Sequence, residues 1–158
     1  IFAVVIGAEL FSNFVNFAGL PDALASLVFD LGLPVWAVIA VIVLIYMILG
    51  CVLESLSMVL LTVPVFYPLM YDLPFANEYL QDPELALIWF AIVVVVVTEI
   101  SLITPPVGMN VFVLKAVLRD VSLSTIFKGV LPFWCADIVR LLLLIMIPSI
   151  SLWLVTAM

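Results

Sequence analysis

Residues 86 to 117 form an almost unbroken apolar stretch that nevertheless contains two adjacent prolines and several polar side chains, in the segment EISLITPPVGMNVFVLK at 99–115. As a single helix the stretch would be about 48 Å long, although ~30 Å is enough to cross the hydrocarbon of a membrane. Pro105 and Pro106 have no backbone N–H, and each disfavours helical dihedrals in the residue before it. The sequence therefore predicts two half-helices joined by extended backbone.

The composition places this break in a lipid environment. Of the 158 residues, 68% are hydrophobic and 9% are charged, which predicts an all-α integral membrane protein with several transmembrane helices. Unwound backbone occurs at membrane depth only where it is buried in protein or lines a polar cavity. Because Ile1 already lies in an apolar run without a signal-peptide pattern, we interpret the sequence as part of a longer chain.

The few charged residues exclude several classes of function. A net charge of -7 without any histidine argues against nucleic-acid binding and excludes metal sites or general bases built from histidine. The sequence also lacks a Ser/Lys or Ser/His pair and a credible metal cluster, so we expect neither an enzyme nor a cofactor. Asp137 and Arg140, three residues apart in the last apolar segment, are expected to pair.

The apolar segments and the loops between them divide the chain into six parts. The parts are the end of a scaffold transmembrane helix with an interfacial arm at 1–33, a helical hairpin at 34–71, an outer loop at 72–85, the broken helix at 86–117, a cytoplasmic loop at 118–128, and a last transmembrane helix at 129–158, kinked at Pro148. The sidedness follows from Lys115, Arg119 and Lys128, since basic residues are enriched on the cytoplasmic side.

The second half of the hairpin is predicted to be short. Its apolar residues, 58 to 70, are interrupted by Pro64 and Pro68, and 13 helical residues reach only about 20 Å. This length favours a re-entrant hairpin whose tip stops inside the membrane, with two ordinary crossings as the alternative. A hairpin tip that meets a broken helix near the membrane midplane is typical of transporters, where half-helix N-termini face anionic groups and oxygen atoms bind Na⁺.

Polar side chains accompany the break in a regular pattern. Thr98, Ser101 and Thr104 recur every third residue beside Glu99, and an ionised side chain at the membrane centre costs about 2.5 to 3.5 kcal/mol on insertion scales. This stripe should therefore face protein or water. The alternative is structural: the hydroxyls bond to carbonyls four residues earlier and Glu99 is paired. Asn110 either caps the second half-helix or contacts substrate.

The hairpin tip supplies a second group of oxygen atoms. Gly50 permits close approach of the backbone, and Glu54, Ser55 and Ser57 offer side-chain oxygens. If the tip lies within the membrane, these groups are expected to handle an ion or a substrate. If it is a surface loop, Glu54 is an ordinary solvated acid.

Three segments together resemble a known family. These segments are GCVLESLSMVLLTVPVFYPLM at 50–70, EISLITPPVGMNVFVLK at 99–115 and GVLPFWCADIVRLLLLIMIPSISLWL at 129–154. Their order resembles the C-terminal part of the large membrane subunit of tripartite ATP-independent periplasmic (TRAP) transporters: an acidic tip, a proline-containing helix, the T-P-P-x-G break and a P-F start to the last helix.

The resemblance implies a Na⁺-coupled importer of organic acids, such as C4-dicarboxylates or sugar acids, in the inner (plasma) membrane of a bacterium or archaeon. It also implies an inverted-repeat, elevator-type fold, of which this chain is the second repeat, and two protein partners: a small membrane subunit and a periplasmic substrate-binding protein. The alternatives are a single-component Na⁺/carboxylate carrier and a channel or assembly subunit.

By position, the resemblance implies Na⁺ ligands at the backbone of Gly50, Ser101 and Val107 and at the hydroxyl of Thr104. The residues expected at the substrate are Glu54, Ser55, Ser57, Pro105, Pro106, Gly108 and Asn110. Two features differ from the family: glycine is usual where Ser101 stands, and the outer loop at 72–85 is longer than usual.

Overall fold

The computed structural model describes residues 2–104 and 108–157, and within these residues the chain is all-helical. The helices are α1 (Phe2–Phe17), α2 (Leu20–Asp30), α3 (Val35–Leu49), α4 (Ser55–Asp72), a 3₁₀ turn (Glu78–Leu80), α5 (Pro83–Ser101), α6 (Met109–Val117), α7 (Leu123–Met146) and α8 (Ser149–Thr156). α4, α5 and α7 are each long and apolar enough to cross a membrane. The prediction of an all-α integral membrane protein is confirmed.

Helix α5 is the centre of the fold. Asp82 begins it as an N-cap, accepting a 2.9 Å hydrogen bond from the backbone N–H of Glu84, and Pro83 occupies the first turn, where no N–H is needed. α5 packs against α3, α4, α7 and α8. Its buried face, which runs from Ala86 through Trp89 and Val93 to Ser101, positions the polar end of the helix among neighbouring helices.

Helix α4 is longer than the sequence predicted. The expected limit of 13 residues is wrong, because α4 runs from Ser55 to Asp72 and includes both Pro64 and Pro68. At ~1.5 Å per residue its 18 residues reach about 27 Å. Each proline removes one backbone hydrogen bond, but the helix continues because its packing against α1, α2 and α5 holds it. The re-entrant path of α3 and α4 stays a prediction.

The C-terminal helices also differ from the expectation. α7 begins at Leu123 rather than at residue 129, because Ser122 caps it and accepts a hydrogen bond from the backbone N–H of Thr125. The predicted kink at Pro148 is a full break, after which α8 packs on α5. Pro148 has no N–H for the carbonyl of Leu144, and the buried indole of Trp89 donates to this carbonyl instead, at 2.8 Å.

The first two helices lie against the hairpin. α1 and α2 both pack on α4, and they meet at an angle of 54°. The bend falls at Gly19, whose φ of 67° ends the first helix, and Pro21 stands in the first turn of the second.

Candidate functional site

The break in the long apolar stretch lies where the two prolines predicted it. α5 ends at Ser101 and α6 begins at Met109. Since the two prolines cannot donate to the carbonyls of Ser101 and Leu102, these accept from other groups: the N–H of Thr104 at 3.2 Å and the N–H of Asn110 at 3.1 Å. The break therefore has its own hydrogen bonds. Pro105, Pro106 and Val107 lie outside the described residues, and their predicted roles stay predictions.

Gly108 makes the turn into α6. Its φ of 42° lies in the left-handed region, and a Cβ atom here would approach the backbone of Ile103 and the side chain of Val111 to 3.3 Å. Glycine is therefore favoured by both conformation and space. We assign Gly108 a structural part in shaping the break, beside its predicted place near substrate.

The hairpin tip touches the end of α5 through Gly50. Its φ of -68° is available to every residue, so backbone freedom does not explain the glycine. Space does, because a Cβ atom at Gly50 would overlap the Cβ and Oγ atoms of Ser101. Ser101 is fully buried and donates a 2.5 Å hydrogen bond to the carbonyl of Thr98. The structure thus brings together two of the residues predicted to bind Na⁺.

Thr104, the predicted Na⁺ ligand with a side-chain oxygen, is buried beside the break. Its hydroxyl donates to the carbonyl of Ile100 at 2.7 Å and accepts from the indole N–H of Trp134 at 2.9 Å. Sequence reasoning did not select Trp134, which lies on α7. The available signal was an indole two residues after Pro132 in an apolar helix, since a buried indole N–H usually finds an acceptor.

A cleft of about 550 Å³ separates the beginning of α4 from the end of α5. It brings together Ser55 from the hairpin, Glu99 from α5 and Asn110 from α6, three polar residues that are distant in sequence. Thr98 also lines the cleft. Its hydroxyl donates to the carbonyl of Val94 at 2.7 Å, which is the bond to a carbonyl four residues earlier that a purely structural role predicts. The remaining lining residues are Leu56, Val59, Val95 and Leu102.

Glu54 and Ser57 lie at the start of α4 but do not line this cleft. The carboxylate of Glu54 caps the helix by accepting from the backbone N–H of Ser57 at 2.9 Å and from its hydroxyl at 2.7 Å. The N-terminus of α4 thus already carries a negative group, which reduces its attraction for an anionic ligand.

The charge of the cleft is negative. Glu99 contributes a carboxylate, and no lining residue is basic within the part of the chain that the structure describes. The chain has four basic residues, and Lys115, Arg119, Lys128 and Arg140 all follow the break. Arg140 is paired with Asp137 at 3.1 Å, as predicted.

Comparison with known proteins identifies the family. Residues 1–150 match the family described as Tripartite ATP-independent periplasmic transporter, DctM component. The chain belongs to this family. The match confirms the resemblance seen in the sequence, and with the apolar helices it makes the chain a multi-pass protein of the inner membrane. The family is one of transporters, not enzymes, as expected.

Two of the proteins similar to this chain are large permeases of TRAP transporters. The chain is 33% identical over 149 residues to the C4-dicarboxylate TRAP transporter large permease protein DctM of Pseudomonas aeruginosa, with 94% of this chain and 32% of the relative covered. It is 28% identical to the sialic acid TRAP transporter large permease protein SiaM of Vibrio cholerae, with the same coverage.

A third relative is the isethionate TRAP transporter permease protein DctMQ of Oleidesulfovibrio alaskensis, which is 26% identical over 92% of this chain and 21% of its own length. The chain thus spans about a third or less of the length of these relatives. No solved structure matches the chain.

Proposed function

We propose that this chain is part of the large membrane subunit of a TRAP transporter, and that it contributes one half of a Na⁺-coupled site for organic acids. The observation that carries the proposal is the cleft that is lined by Ser55 of the hairpin and by Glu99 and Asn110 of the broken helix. In secondary transporters, substrate and coupling ions bind near the half-helix ends of broken helices.

The charge of the cleft supports coupling to a cation. The substrate would be an anion, and two unit negative charges 4 Å apart repel by about 4 kcal/mol at an effective dielectric constant near 20. Glu99 and the nearby Glu54 therefore oppose binding of the acid alone. A cation bound at the junction of Gly50, Ser101 and Thr104 would offset this repulsion, so that substrate binds well only together with Na⁺.

The relatives suggest the class of substrate. Their names refer to C4-dicarboxylates, sialic acid and isethionate, which are all organic anions. We propose a substrate of this class, delivered by a periplasmic binding protein, and a small membrane subunit as the second partner. In an elevator-type cycle, the tip and the broken helix would move together with ions and substrate.

The experiment is uptake of a labelled C4-dicarboxylate, sialic acid or isethionate by proteoliposomes that contain the complete transporter. Uptake is measured with and without an inward Na⁺ gradient, and with and without the binding protein. We expect saturable uptake that requires both. Uptake that needs Na⁺ but no binding protein would show a single-component carrier. Flux that does not saturate would show a channel, and either result would contradict the proposal.

A further inference from the structure

The indole of Trp134 is a polar contact from α7 to the break between α5 and α6. α7 buries little of its surface against the rest of the described chain, yet Trp134 is half-buried and packs against the hydrophobic core. Its N–H lies 2.9 Å from the hydroxyl oxygen of Thr104, thirty residues earlier in the chain. The last long helix therefore touches the proposed Na⁺ site through a directional hydrogen bond.

The hydrogen bonds of Thr104 fix the direction of its free lone pair. A threonine hydroxyl has one proton and two lone pairs. The proton is used by the carbonyl of Ile100 and one lone pair by the indole of Trp134. One lone pair is then left to coordinate a cation. Without the indole, the hydroxyl would have a second free lone pair, and its oxygen would be held by one hydrogen bond instead of two.

We propose that Trp134 is a positioning residue for Na⁺, which acts by orienting the hydroxyl oxygen of Thr104. The inference rests on the proposed function, because it assumes that Thr104 binds the coupling ion. The inference adds that α7, which belongs to neither the hairpin nor the broken helix, helps to determine the affinity for Na⁺. Pro132 in the same helix removes a backbone hydrogen bond one half-turn before the tryptophan. A change in the bend of α7 at this point would therefore move the indole of Trp134 relative to the hydroxyl of Thr104.

The test compares Trp134→Phe, which keeps an aromatic ring but removes the N–H, with Trp153→Phe as the matched control. Trp153 lies on α8 and is 69% exposed. Both variants are made in the complete transporter. We measure the Na⁺ concentration for half-maximal uptake, and the rise in melting temperature that Na⁺ produces in detergent without substrate. For Trp134→Phe we expect a roughly 3- to 10-fold higher half-saturating Na⁺ concentration, the effect of losing about one hydrogen bond.

Two further results separate positioning from a merely structural role. At saturating Na⁺, Trp134→Phe should keep the wild-type KM for the organic acid. In a Thr104→Val background, the same substitution should have no further effect on the melting-temperature rise caused by Na⁺, since no hydroxyl is left to orient. If the Phe variant does not accumulate, Trp134→His, which keeps an N–H donor, is compared with Trp134→Leu, and His should bind Na⁺ more tightly.

The inference is overturned if Trp134→Phe and the Trp153 control have the same half-saturating Na⁺ concentration, if the effects of Trp134→Phe and Thr104→Val simply add, or if His and Leu at position 134 are equivalent. The proposed function itself would be contradicted if the wild-type transporter showed neither Na⁺-dependent uptake nor stabilisation by Na⁺.

Discussion

Gly50 and Ser101 show how two small residues fix the junction between the hairpin and the broken helix. The tip comes so close to α5 that only a hydrogen atom fits between the backbone of Gly50 and the side chain of Ser101. Sequence reasoning predicted close approach at Gly50 and noted serine where the family usually has glycine. It could not predict that the two residues touch, because this contact depends on how α3 and α5 pack.

This contact predicts that a second substitution, at Ser101, restores the stability lost by a substitution at Gly50. Gly50→Ala should lower the melting temperature of the complete transporter and its uptake, because overpacking costs about 1 to 3 kcal/mol. Ser101→Gly removes the two atoms that a Cβ at position 50 would overlap, and leaves the carbonyl oxygen of Tyr46 at 3.2 Å as a tight but smaller contact. The double variant should therefore recover most of the stability, with Gly129→Ala as a control in open space. Equal loss in the single and double variants would show that the contact is not the cause.

Glu99 tests the electrostatic part of the proposal. Glu99→Gln removes the negative charge from the cleft, so the KM for the organic acid at low Na⁺ should fall several-fold, and the difference from wild type should shrink as Na⁺ saturates. Glu84→Gln, in the exposed first turn of α5, is the matched control. A higher KM at low Na⁺ would instead assign Glu99 to cation binding or to direct contact with substrate.

At the scale of helices, the sequence predicted the positions of the breaks better than it predicted where each helix begins and ends. Two adjacent prolines forced the break after Ser101, because both missing N–H groups fall in one turn. Pro64 and Pro68, a full turn apart, are accommodated inside α4. The start of α7 was missed because its cap, Ser122, lies in a stretch that is polar enough to resemble a loop. The cleft needed packing information that no local pattern contains.

Trp89 ties two of these helices together. Its indole replaces the N–H that Pro148 lacks, by donating to the carbonyl of Leu144. Trp89→Phe should leave this carbonyl without a donor and destabilise the protein by about 1 to 3 kcal/mol. The measurement is the melting temperature of the transporter in detergent, beside Trp153→Phe. Indistinguishable values for the two variants would mean that the hydrogen bond contributes nothing.

At the scale of the whole molecule, the open question is the depth of the tip, which determines whether α3 and α4 form a re-entrant hairpin or two crossings. The length of α4 permits a crossing, whereas α3 has only 15 residues. In a chain with Cys51 and Cys135 replaced by serine, Glu54→Cys should react slowly with impermeant thiol reagents added to either side of the membrane.

The controls for this labelling are two exposed residues, Glu78→Cys in the loop predicted to face the outside and Asp120→Cys in the loop predicted to face the cytoplasm. Each should react rapidly from its own side only. If Glu54→Cys reacts from the cytoplasmic side as rapidly as Asp120→Cys, the tip is a surface loop. The two helices then cross the membrane fully.

The central claim is that the break beside Thr104 binds the ion that drives transport. The most direct test is the Na⁺ dependence of uptake by the complete transporter, in wild type and Thr104→Ala, with Thr156→Ala at the end of α8 as the control. We expect Thr104→Ala to raise the half-saturating Na⁺ concentration at least about tenfold, through loss of an oxygen ligand and its hydrogen bonds, with protein abundance nearly unchanged. A normally abundant Thr104→Ala transporter with the wild-type response to Na⁺ would contradict the account.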